Sequence, residues 1–334
     1  MTDQSATTLE KPPGQDPAGT EKKTPAVLGR IRPTNLVFFA VAVIFVVVAA
    51  LTNDSFFTTD NLTNILSQMV TTGLLSLGML MVILTGGIDL SVGAIVSLTG
   101  IMSAGLVAGM PLPLAILLAI LVGAGCGIVN GILVAHFRMA PFVVTLAAMT
   151  AFGGLTYVYS KVPITPDNLG FLTLGAKNIG VIPLSAIITV VLFGLGWIFL
   201  NRTAAGRALL GIGGNEEAVR LAGVNVRNYL ILAYVISGVC AGIAGVILAS
   251  RVGIAQPNVG SGFELDAIAA CVIGGAALSG GRGTIGGALG GVVLLGLIDN
   301  LLSLYDVESY WQQVLKGVII AVAILVRRRE QRGA

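Results

Sequence analysis

The feature that most constrains this fold is a series of apolar runs that recurs along almost the whole chain. A run of about 20 apolar residues is long enough to cross a bilayer as a helix. Only 10% of the 334 residues are charged and 55% are hydrophobic, whereas soluble domains carry about a quarter of charged residues. The sequence therefore predicts an all-α polytopic membrane protein with about ten transmembrane helices. The predicted segments are 35–52, 62–84, 91–109, 112–135, 141–159, 180–200, 228–250, 265–280, 283–304 and 309–326.

Glycine predicts where these helices break. The third and eighth segments are short and rich in glycine, and the pattern G-G-x-x-L-S-x-G occurs twice, at 86–93 and 274–281. Matching glycine breaks in two halves of a transporter indicate discontinuous helices that line a transport path. We therefore expect some discontinuous helices and an internal repeat. The sequence leaves open whether the two halves are parallel or inverted.

The distribution of positive charge predicts how the segments cross the membrane. With a cytoplasmic N-terminus, alternation places most of the 19 lysines and arginines in cytoplasmic pieces, as the positive-inside rule requires. Both termini are then cytoplasmic. The polar stretch 1–34 is expected to be a disordered cytoplasmic tail. Residues 35–327 form the predicted transmembrane domain, and 328–334 form a short cytoplasmic tail.

The longest polar interruption in the second half, 202–227, contains a short and well-marked helix. Its residues are Asn215, Glu216, Glu217, Ala218, Val219, Arg220, Leu221, Ala222 and Gly223. Asn215 is a suitable N-cap, Glu216 and Arg220 form an i,i+4 pair, and Gly223 supplies a left-handed stop. Because so short a helix is marginal in water, the membrane domain or a partner must hold it. The stretch is therefore either a structured connector or a docking helix that transmits force from another protein.

A polar stripe on the second predicted helix is the best candidate for a translocation path. The second predicted helix carries Asn64, Ser67, Gln68, Thr71 and Thr72. Their offsets of three and four place them on one helical face, and Asn64, Gln68 and Thr72 are the path candidates among them. Polar residues in a membrane helix face protein or water rather than lipid. Asn130 in the fourth segment and Asp89 in a glycine-flanked break join them as path candidates. The alternative is that these side chains form hydrogen bonds between helices.

The other ionisable groups in membrane segments have simpler explanations. Glu264 and Asp266 lie at a predicted helix N-terminus, where the helix dipole favours negative charge. Lys316 can extend its side chain to the outer interface. A chain of Asp, Glu and His residues of the proton-relay kind is not evident, which counts against an ion-driven carrier.

The sequence gives no indication of enzymatic chemistry. The one histidine, His136, lies in a short turn beside Arg138, and the three cysteines lie inside apolar runs without a disulfide or metal spacing. No zinc-hydrolase, nucleophile-elbow or P-loop motif occurs, so the chain has no P-loop ATP site of its own. The pattern G-x-G-x-x-G at 281–286 joins two membrane segments and lacks the βαβ context of a dinucleotide site. We expect no catalytic residue, no metal, no cofactor and no nucleic-acid partner.

Three stretches resemble the permease subunit of the ribose-type sugar ABC importers. They are T-G-G-I-D-L-S-V-G at 85–93, G-G-N-E-E-A-V-R-L-A-G-V-N-V at 213–226 and A-Q-P-N-V-G-S-G-F-E-L-D-A-I-A-A at 255–270. The resemblance covers about 35–327 and is highly specific for the family, but weakly specific for the sugar. It implies a non-catalytic subunit of the bacterial inner membrane that forms the path for a monosaccharide, with ribose as the first expectation. It does not explain the tail 1–34.

The resemblance also implies partners. These are a second copy of the chain, two ABC ATPase subunits (or a fused pair) and a soluble sugar-binding protein outside the membrane. Residues 215–222 are then the coupling helix, which sits in a cleft of the ATPase. The outer loops 160–179 and 251–264 are the expected docking surface for the sugar-binding protein. Their cations are Lys161, Lys177 and Arg251.

The alternative function is a self-sufficient secondary carrier or facilitator of small polar solutes. It needs neither an ATPase nor a binding protein. Neighbouring genes for both proteins, or co-purification of an ATPase with the chain, would separate the two hypotheses.

Overall fold

The computed structural model describes residues 43–44, 46–48, 51–318 and 321 of the chain. The predicted tails 1–34 and 328–334 and much of the first predicted segment lie outside these residues. The elements are α1 (Thr59–Leu84), α2 (Val92–Leu106), α3 (Leu112–Ala135), α4 (Pro141–Tyr159), α5 (Leu169–Ala176), β1 (Asn178–Ile179), β2 (Ile182–Pro183), α6 (Leu184–Arg202), α7 (Ala204–Leu221), α8 (Val226–Val252), α9 (Phe263–Ile273) and α10 (Ile285–Leu304). Residues 309–318 are also helical.

Six helices in the described part of the chain are long and apolar enough to cross a membrane, namely α1, α3, α4, α6, α8 and α10. The predicted all-α polytopic architecture is therefore confirmed. The two segments that were short and rich in glycine are the exceptions, since α2 has 15 residues and α9 has 11. Both are too short for a full crossing at about 1.5 Å per residue. The count of ten stays a prediction, because the first and last segments are only partly described.

Two predicted segments, 112–135 and 141–159, coincide with α3 and α4. Pro111 precedes α3 and Pro141 begins α4, and proline suits the first helical positions because their N–H groups have no partner inside the helix. The short polar turn around Arg138 separates the two helices. Sharp chemical boundaries of this kind make helix ends readable from sequence.

Two other predicted segments are wrong at one end. The segment 265–280 stops being helical at Ile273, because the pair Gly274 and Gly275 begins a turn that continues to α10. The segment 180–200 becomes helical only with α6, because β1 and β2 first form an antiparallel hairpin. In both places an apolar composition continues through backbone that is not helical.

α8 is the central helix of the bundle and packs against α1, α2 and α3. Gly123, Gly127 and Gly131 of α3 face it at backbone distance. A Cβ on Gly127 would lie 2.9 Å from the Cα of Val235, and one on Gly131 would lie 2.8 Å from the Cα of Ile231. Small residues allow such close approach of membrane helices, and the gain is van der Waals contact. This packing buries most of α1 and α8, whereas α3, α4 and α6 keep broad exposed apolar faces that suit contact with lipid.

α2 is a half-length helix that begins inside the bundle. Ser237 is the twelfth residue of α8, about 16 Å along that helix, and its hydroxyl donates to Asp89, just before α2, at 2.8 Å. From this depth α2 runs parallel to α8. Gly100 of α2 lies against Gly245, about two turns further along.

α9 begins at the same depth and runs in the opposite direction. The N–H of Gly260 donates to the Oγ of Ser97 at 2.9 Å, and a Cβ on Gly93 would overlap the carbonyl oxygen of Gly260 and the carboxylate of Glu264. α9 then runs toward the end of the bundle that carries α7, where the turn after it bonds to the last residue of α1. The predicted discontinuous helices are present, and their N-termini meet inside the bundle.

Replacement of Gly127 by alanine is expected to destabilise the bundle. The new Cβ would overlap the carbonyl oxygen of Tyr234, so α3 and α8 must separate, and overpacking of this kind costs roughly 1–3 kcal/mol. The measurement is the thermal unfolding midpoint of the purified protein in detergent. Gly125→Ala is the matched control, because a Cβ there meets nothing within 4 Å. An equal fall in both variants would contradict the proposed packing of α3 on α8.

Candidate functional site

The predicted docking helix is the second half of α7, which bends at Asn215. The backbone of Asn215 is extended (φ −161°, ψ 98°), so α7 consists of two helices that meet at this residue. Its Oδ1 accepts from the N–H of Ala218 at 3.0 Å, which confirms the predicted N-cap. Gly223 has a φ of +80° and ends the segment in the left-handed conformation, as predicted.

The charges on the second half of α7 differ from the prediction in one respect. Arg220 pairs with Glu217, three residues before it, rather than with Glu216. Residues three and four apart are both neighbours on a helix surface, so spacing alone does not choose between them. The hydrogen bond that Arg220 donates to the Glu217 carboxylate raises the pKa of the guanidinium above its ordinary value. Both partners are largely exposed, so the pair adds little stability and stays available to a docking partner.

The first half of α7 was not predicted from the sequence. Thr203 caps it by accepting from the N–H of Gly206 at 3.0 Å, and Leu209 and Ile212 are buried beneath it. Its four glycines lower helix propensity, so a helix was not predicted here. The available signal was the threonine cap followed by buried apolar positions.

Two turns and two helical residues of α7 meet at the α7 end of the bundle. They form what we call the glycine junction, which consists of the turns at 85–87 and 280–281 and residues 213–214 of α7. The N–H of Gly281 donates to the carbonyl of Leu84 at 2.9 Å. A Cβ on Gly280 would lie 2.8 Å from both the Cα of Gly213 and the N of Gly86. A Cβ on Gly213 would overlap the carbonyl oxygen of Leu84. The three segments are therefore in direct backbone contact, which their glycines permit.

The glycine junction brings together both copies of the G-G-x-x-L-S-x-G repeat and the residues that precede the docking helix. The copy at 86–93 leads into α2, and the copy at 274–281 follows α9. Both copies lie at the same end of the bundle, while the two half-helices run in opposite directions. The residues that precede the second half of α7 therefore contact the connections of both half-helices.

Asp89 and Asn130 belong to one buried hydrogen-bond network. Asp89 accepts from the N–H and Oγ of Ser91 at 3.0 and 2.6 Å, and from the Oγ of Ser237 at 2.8 Å. The Nδ2 of Asn130 donates to the Oγ of Ser91 at 2.8 Å. All four residues are at most 1% exposed, so neither path candidate touches solvent in this conformation. The network holds the start of α2 against α3 and α8, and a role of these two residues in the path stays a prediction.

Asn64, Gln68 and Thr72 lie along one face of α1, below a polar cavity of about 490 Å³ at the end of the bundle opposite α7. Asn64 is exposed, whereas Gln68 and Thr72 are half-buried. We call this cavity the outer cavity, because residues of both predicted outer loops line it. Its polar lining includes Thr59, Asp60, Thr63, Asn64, Ser67 and Arg251. The predicted stripe thus continues inward from a polar opening.

Arg251, one of the three predicted docking cations, is tied to α1. Its Nη1 donates to the carbonyl of Ser67 at 3.0 Å, and its Nη2 donates to the Oδ1 of Asn64 at 3.3 Å. The side chain is half-buried as a result. Arg251 therefore shapes the outer cavity in addition to any contact with a partner.

The two outer loops, 160–179 and 251–264, form one connected surface. Ile164 and Ala255 exchange backbone hydrogen bonds of 2.9 Å, which join the loops. The first loop also contains α5, a helix that the sequence reading missed, although Asn168 caps it. The exposed cations of this surface are Lys161 and Lys177.

A partly buried charge cluster links the helical residues 309–318 to α9 and α10. The Nζ of Lys316 lies 3.1 Å from the Oδ2 of Asp266 and 3.0 Å from the Oδ2 of Asp299. From the sequence, Lys316 was predicted to extend to the outer interface, and Asp266 was explained by the dipole of its helix. Their pairing was not predicted. The available signal was that ionisable groups in membrane segments usually pair with one another.

Comparison with known proteins gives one consistent result. Residues 61–324 match the family described as branched-chain amino acid transport system / permease component. The ribose import permease protein RbsC of Bacillus subtilis is 45% identical, over 86% of this chain and 90% of that protein. RbsC of Escherichia coli K12 is 40% identical, over 87% and 92%. The galactose/methyl galactoside import permease protein MglC of Escherichia coli K12 is 34% identical, over 86% and 91%. No solved structure matches the chain significantly.

The family match includes the glycine junction, the Asp89 network and the stripe on α1. The resemblance seen in three sequence motifs is thereby confirmed, and the chain is a non-catalytic transport component. The chain belongs to the branched-chain amino acid transport system / permease component family of multi-pass membrane proteins.

Proposed function

We propose that the chain is the membrane-spanning permease subunit of an ABC importer for ribose. The observation that carries the proposal is the backbone contact of Gly213 with Leu84 and Gly280, because it joins an exposed docking helix to the connections of both half-helices. A self-sufficient carrier needs no contact that transmits movement from a docking helix to its membrane helices. The names of two similar relatives, both ribose import permeases, support ribose as the substrate.

The sugar enters through the outer cavity and moves along the stripe on α1. Amide and hydroxyl groups suit a sugar, because each both donates and accepts hydrogen bonds. Asn64 lies at the opening, and Gln68 and Thr72 follow at one-turn intervals. Asp89 and Asn130 control the path without lining it in this conformation. Their buried network holds the start of α2 in place, and α2 moves when the path opens.

A second copy of the chain completes the path, since one face of α1 cannot enclose a sugar by itself. Two ATPase subunits receive residues 215–222, which are the second half of α7 and its C-cap Ala222, on the cytoplasmic side. A sugar-binding protein docks on the outer loops, where Lys161 and Lys177 are exposed. This arrangement places both termini in the cytoplasm and the permease in the bacterial inner membrane.

ATP drives the path through the glycine junction. Closure of the two ATPase subunits moves the second half of α7, and Gly213 presses on the turns at 85–87 and 280–281. Because the contacts are between backbones, they transmit movement without the slack of flexible side chains. The half-helices α2 and α9 then open the path to one side and close it to the other.

The function is tested by ribose uptake into vesicles that contain the chain, its ATPase and its binding protein. We expect uptake that requires ATP, and Gly213→Ala is expected to lower it about tenfold. The added Cβ must displace the backbone of Leu84 or Gly281, and overpacking costs roughly 1–3 kcal/mol. ATP hydrolysis stimulated by loaded binding protein should fall with it, while the thermal midpoint in detergent shows that the variant is folded.

Gly214→Ala is the matched control, because a Cβ at the next residue meets nothing within 4 Å. It should keep nearly full uptake. Equal losses in the two variants would contradict transmission through the glycine junction. Ribose uptake that persists when the ATPase is omitted would favour the self-sufficient carrier.

Cysteine labelling tests the path on α1. Thr72→Cys should react with a small, charged, water-soluble thiol reagent in the assembled transporter, and the rate should change when ATP is trapped. Thr71→Cys should not react, because Thr71 is 3% exposed. The native cysteines give no background, since Cys126, Cys240 and Cys271 are buried. Equal reactivity of the two variants, or an inert Thr72→Cys in every state, would place the path elsewhere.

A further inference from the structure

A second cavity, of about 650 Å³, lies at the α7 end of the bundle, away from the outer cavity. Its walls are the second half of α7, the adjoining ends of α3, α4 and α8, and the turn at 85–87. We call it the arginine cavity, because Arg138, Arg220 and Arg227 line it together with Glu216. Its volume is typical of sites that bind small molecules.

The arginine cavity has an excess of positive charge. Arg220 pairs with Glu217, but among the described residues neither Arg138 nor Arg227 forms an ion pair. Arg138 also has a φ of +53°, a left-handed conformation that a residue with a Cβ rarely adopts. These two guanidinium groups outnumber the carboxylate of Glu216 in the lining, so the cavity favours an anion. Their planar, forked donors match phosphate especially well.

A tyrosine hydroxyl at the floor of the arginine cavity has no hydrogen-bond partner among the described residues. Tyr234 lines the cavity, is 0% exposed, and its hydroxyl has no partner among the described residues. The hydroxyl oxygen lies beneath Gly87, 2.7 Å from where a Cβ on that glycine would be. Buried hydroxyl groups are nearly always hydrogen-bonded. The hydroxyl lies against the turn at 85–87, which covers it in this conformation. A polar ligand group reaches it from the cavity when that turn moves aside.

We propose that the arginine cavity binds a phosphate ester that also carries free hydroxyl groups. The phosphate lies between Arg138 and Arg227, and a hydroxyl group of the ligand bonds to Tyr234. Neither a phosphate alone nor an uncharged sugar meets both requirements. The site is separate from the transport path, so the proposal does not depend on ribose being the substrate.

Two sources share this chemistry. One is a phosphorylated monosaccharide from the cytoplasm. The other is the glycerol headgroup of an anionic phospholipid, whose chains would follow the exposed Phe137 and Phe142 beside Arg138. Basic pockets between membrane helices on the cytoplasmic side do bind anionic headgroups.

Occupation of the arginine cavity has a consequence for coupling. Glu216 and Arg220 form the wall that belongs to the docking helix, and the turn at 85–87 forms another wall and is part of the glycine junction. A ligand between these walls holds the docking helix against the bundle. Binding therefore biases the position of the element that we propose the ATPase moves.

Two binding measurements on the full-length chain distinguish the sources. In the first, the chain in phosphatidylcholine nanodiscs is titrated with ribose 5-phosphate, inorganic phosphate and ribose. In the second, native mass spectrometry counts the phosphatidylglycerol molecules that stay bound after purification from mixed lipids. Saturable binding of ribose 5-phosphate supports a cytoplasmic ligand, and specifically retained phosphatidylglycerol supports a lipid ligand.

Variants assign the binding to this cavity. Arg138→Asn with Arg227→Gln removes both unpaired charges at exposed positions, and asparagine tolerates the left-handed backbone. We expect this pair to weaken binding about tenfold or more, since each lost charged hydrogen bond is worth about that factor. Tyr234→Phe should weaken binding of ribose 5-phosphate but not of inorganic phosphate.

Arg207→Gln is the matched control, because Arg207 is an exposed arginine of α7 that does not line the cavity. It should bind the ligand as the unmodified chain does. The proposal is overturned if neither ribose 5-phosphate nor phosphatidylglycerol binds. It is equally overturned if Arg207→Gln loses as much binding as the paired variant, while thermal midpoints show that both are folded.

Discussion

The structure depends on hydrogen-bond partners for the first N–H groups of two helices, α2 and α9, that begin inside the bundle. Water cannot bond to the free N–H groups there, so the protein must supply the partners for α2 and α9. Asp89 accepts from the N–H of Ser91, and Glu264 accepts from the N–H of Gly262, so each helix start has a carboxylate where the dipole favours it. Gly93 and Gly260 let the two starts approach to backbone contact. The burial of α1 and α8 follows, because these helices enclose the meeting point.

A second consequence concerns the far ends of these connections. The chain that leads into α2 and the chain that leaves α9 both reach the α7 end of the bundle, where the glycine junction fixes them to Gly213. Exposed charges on the docking helix contribute little stability, so a partner can use them without cost to the fold. The chain thus combines close backbone contacts at the glycine junction with an exposed, charged helix beside them.

Single-sequence reasoning succeeds here where chemistry changes sharply and fails where distant residues meet. Pro111 and Pro141 allow the starts of α3 and α4 to be predicted to the residue. Asn215 and Gly223 likewise mark the two ends of the predicted docking helix. The first half of α7 is hidden because its glycines suit backbone contacts that only the folded chain reveals. The pairing of Lys316 with Asp266 spans 50 positions. The meeting of α2 with α9 likewise depends on tertiary packing, although the weakness of both segments pointed to broken helices.

Rigid transmission through the glycine junction is tested most directly by distances between spin labels. The labels are placed on exposed positions, namely Ala222 at the end of the docking helix, Arg282 after the turn at 280–281, and Val252 at the far end of α8 as reference. Labelled chain is diluted with unlabelled chain in the assembled transporter. On ATP trapping, the Ala222–Arg282 distance should stay constant while the Arg282–Val252 distance changes. A changed Ala222–Arg282 distance with a constant Arg282–Val252 distance would contradict transmission through the junction.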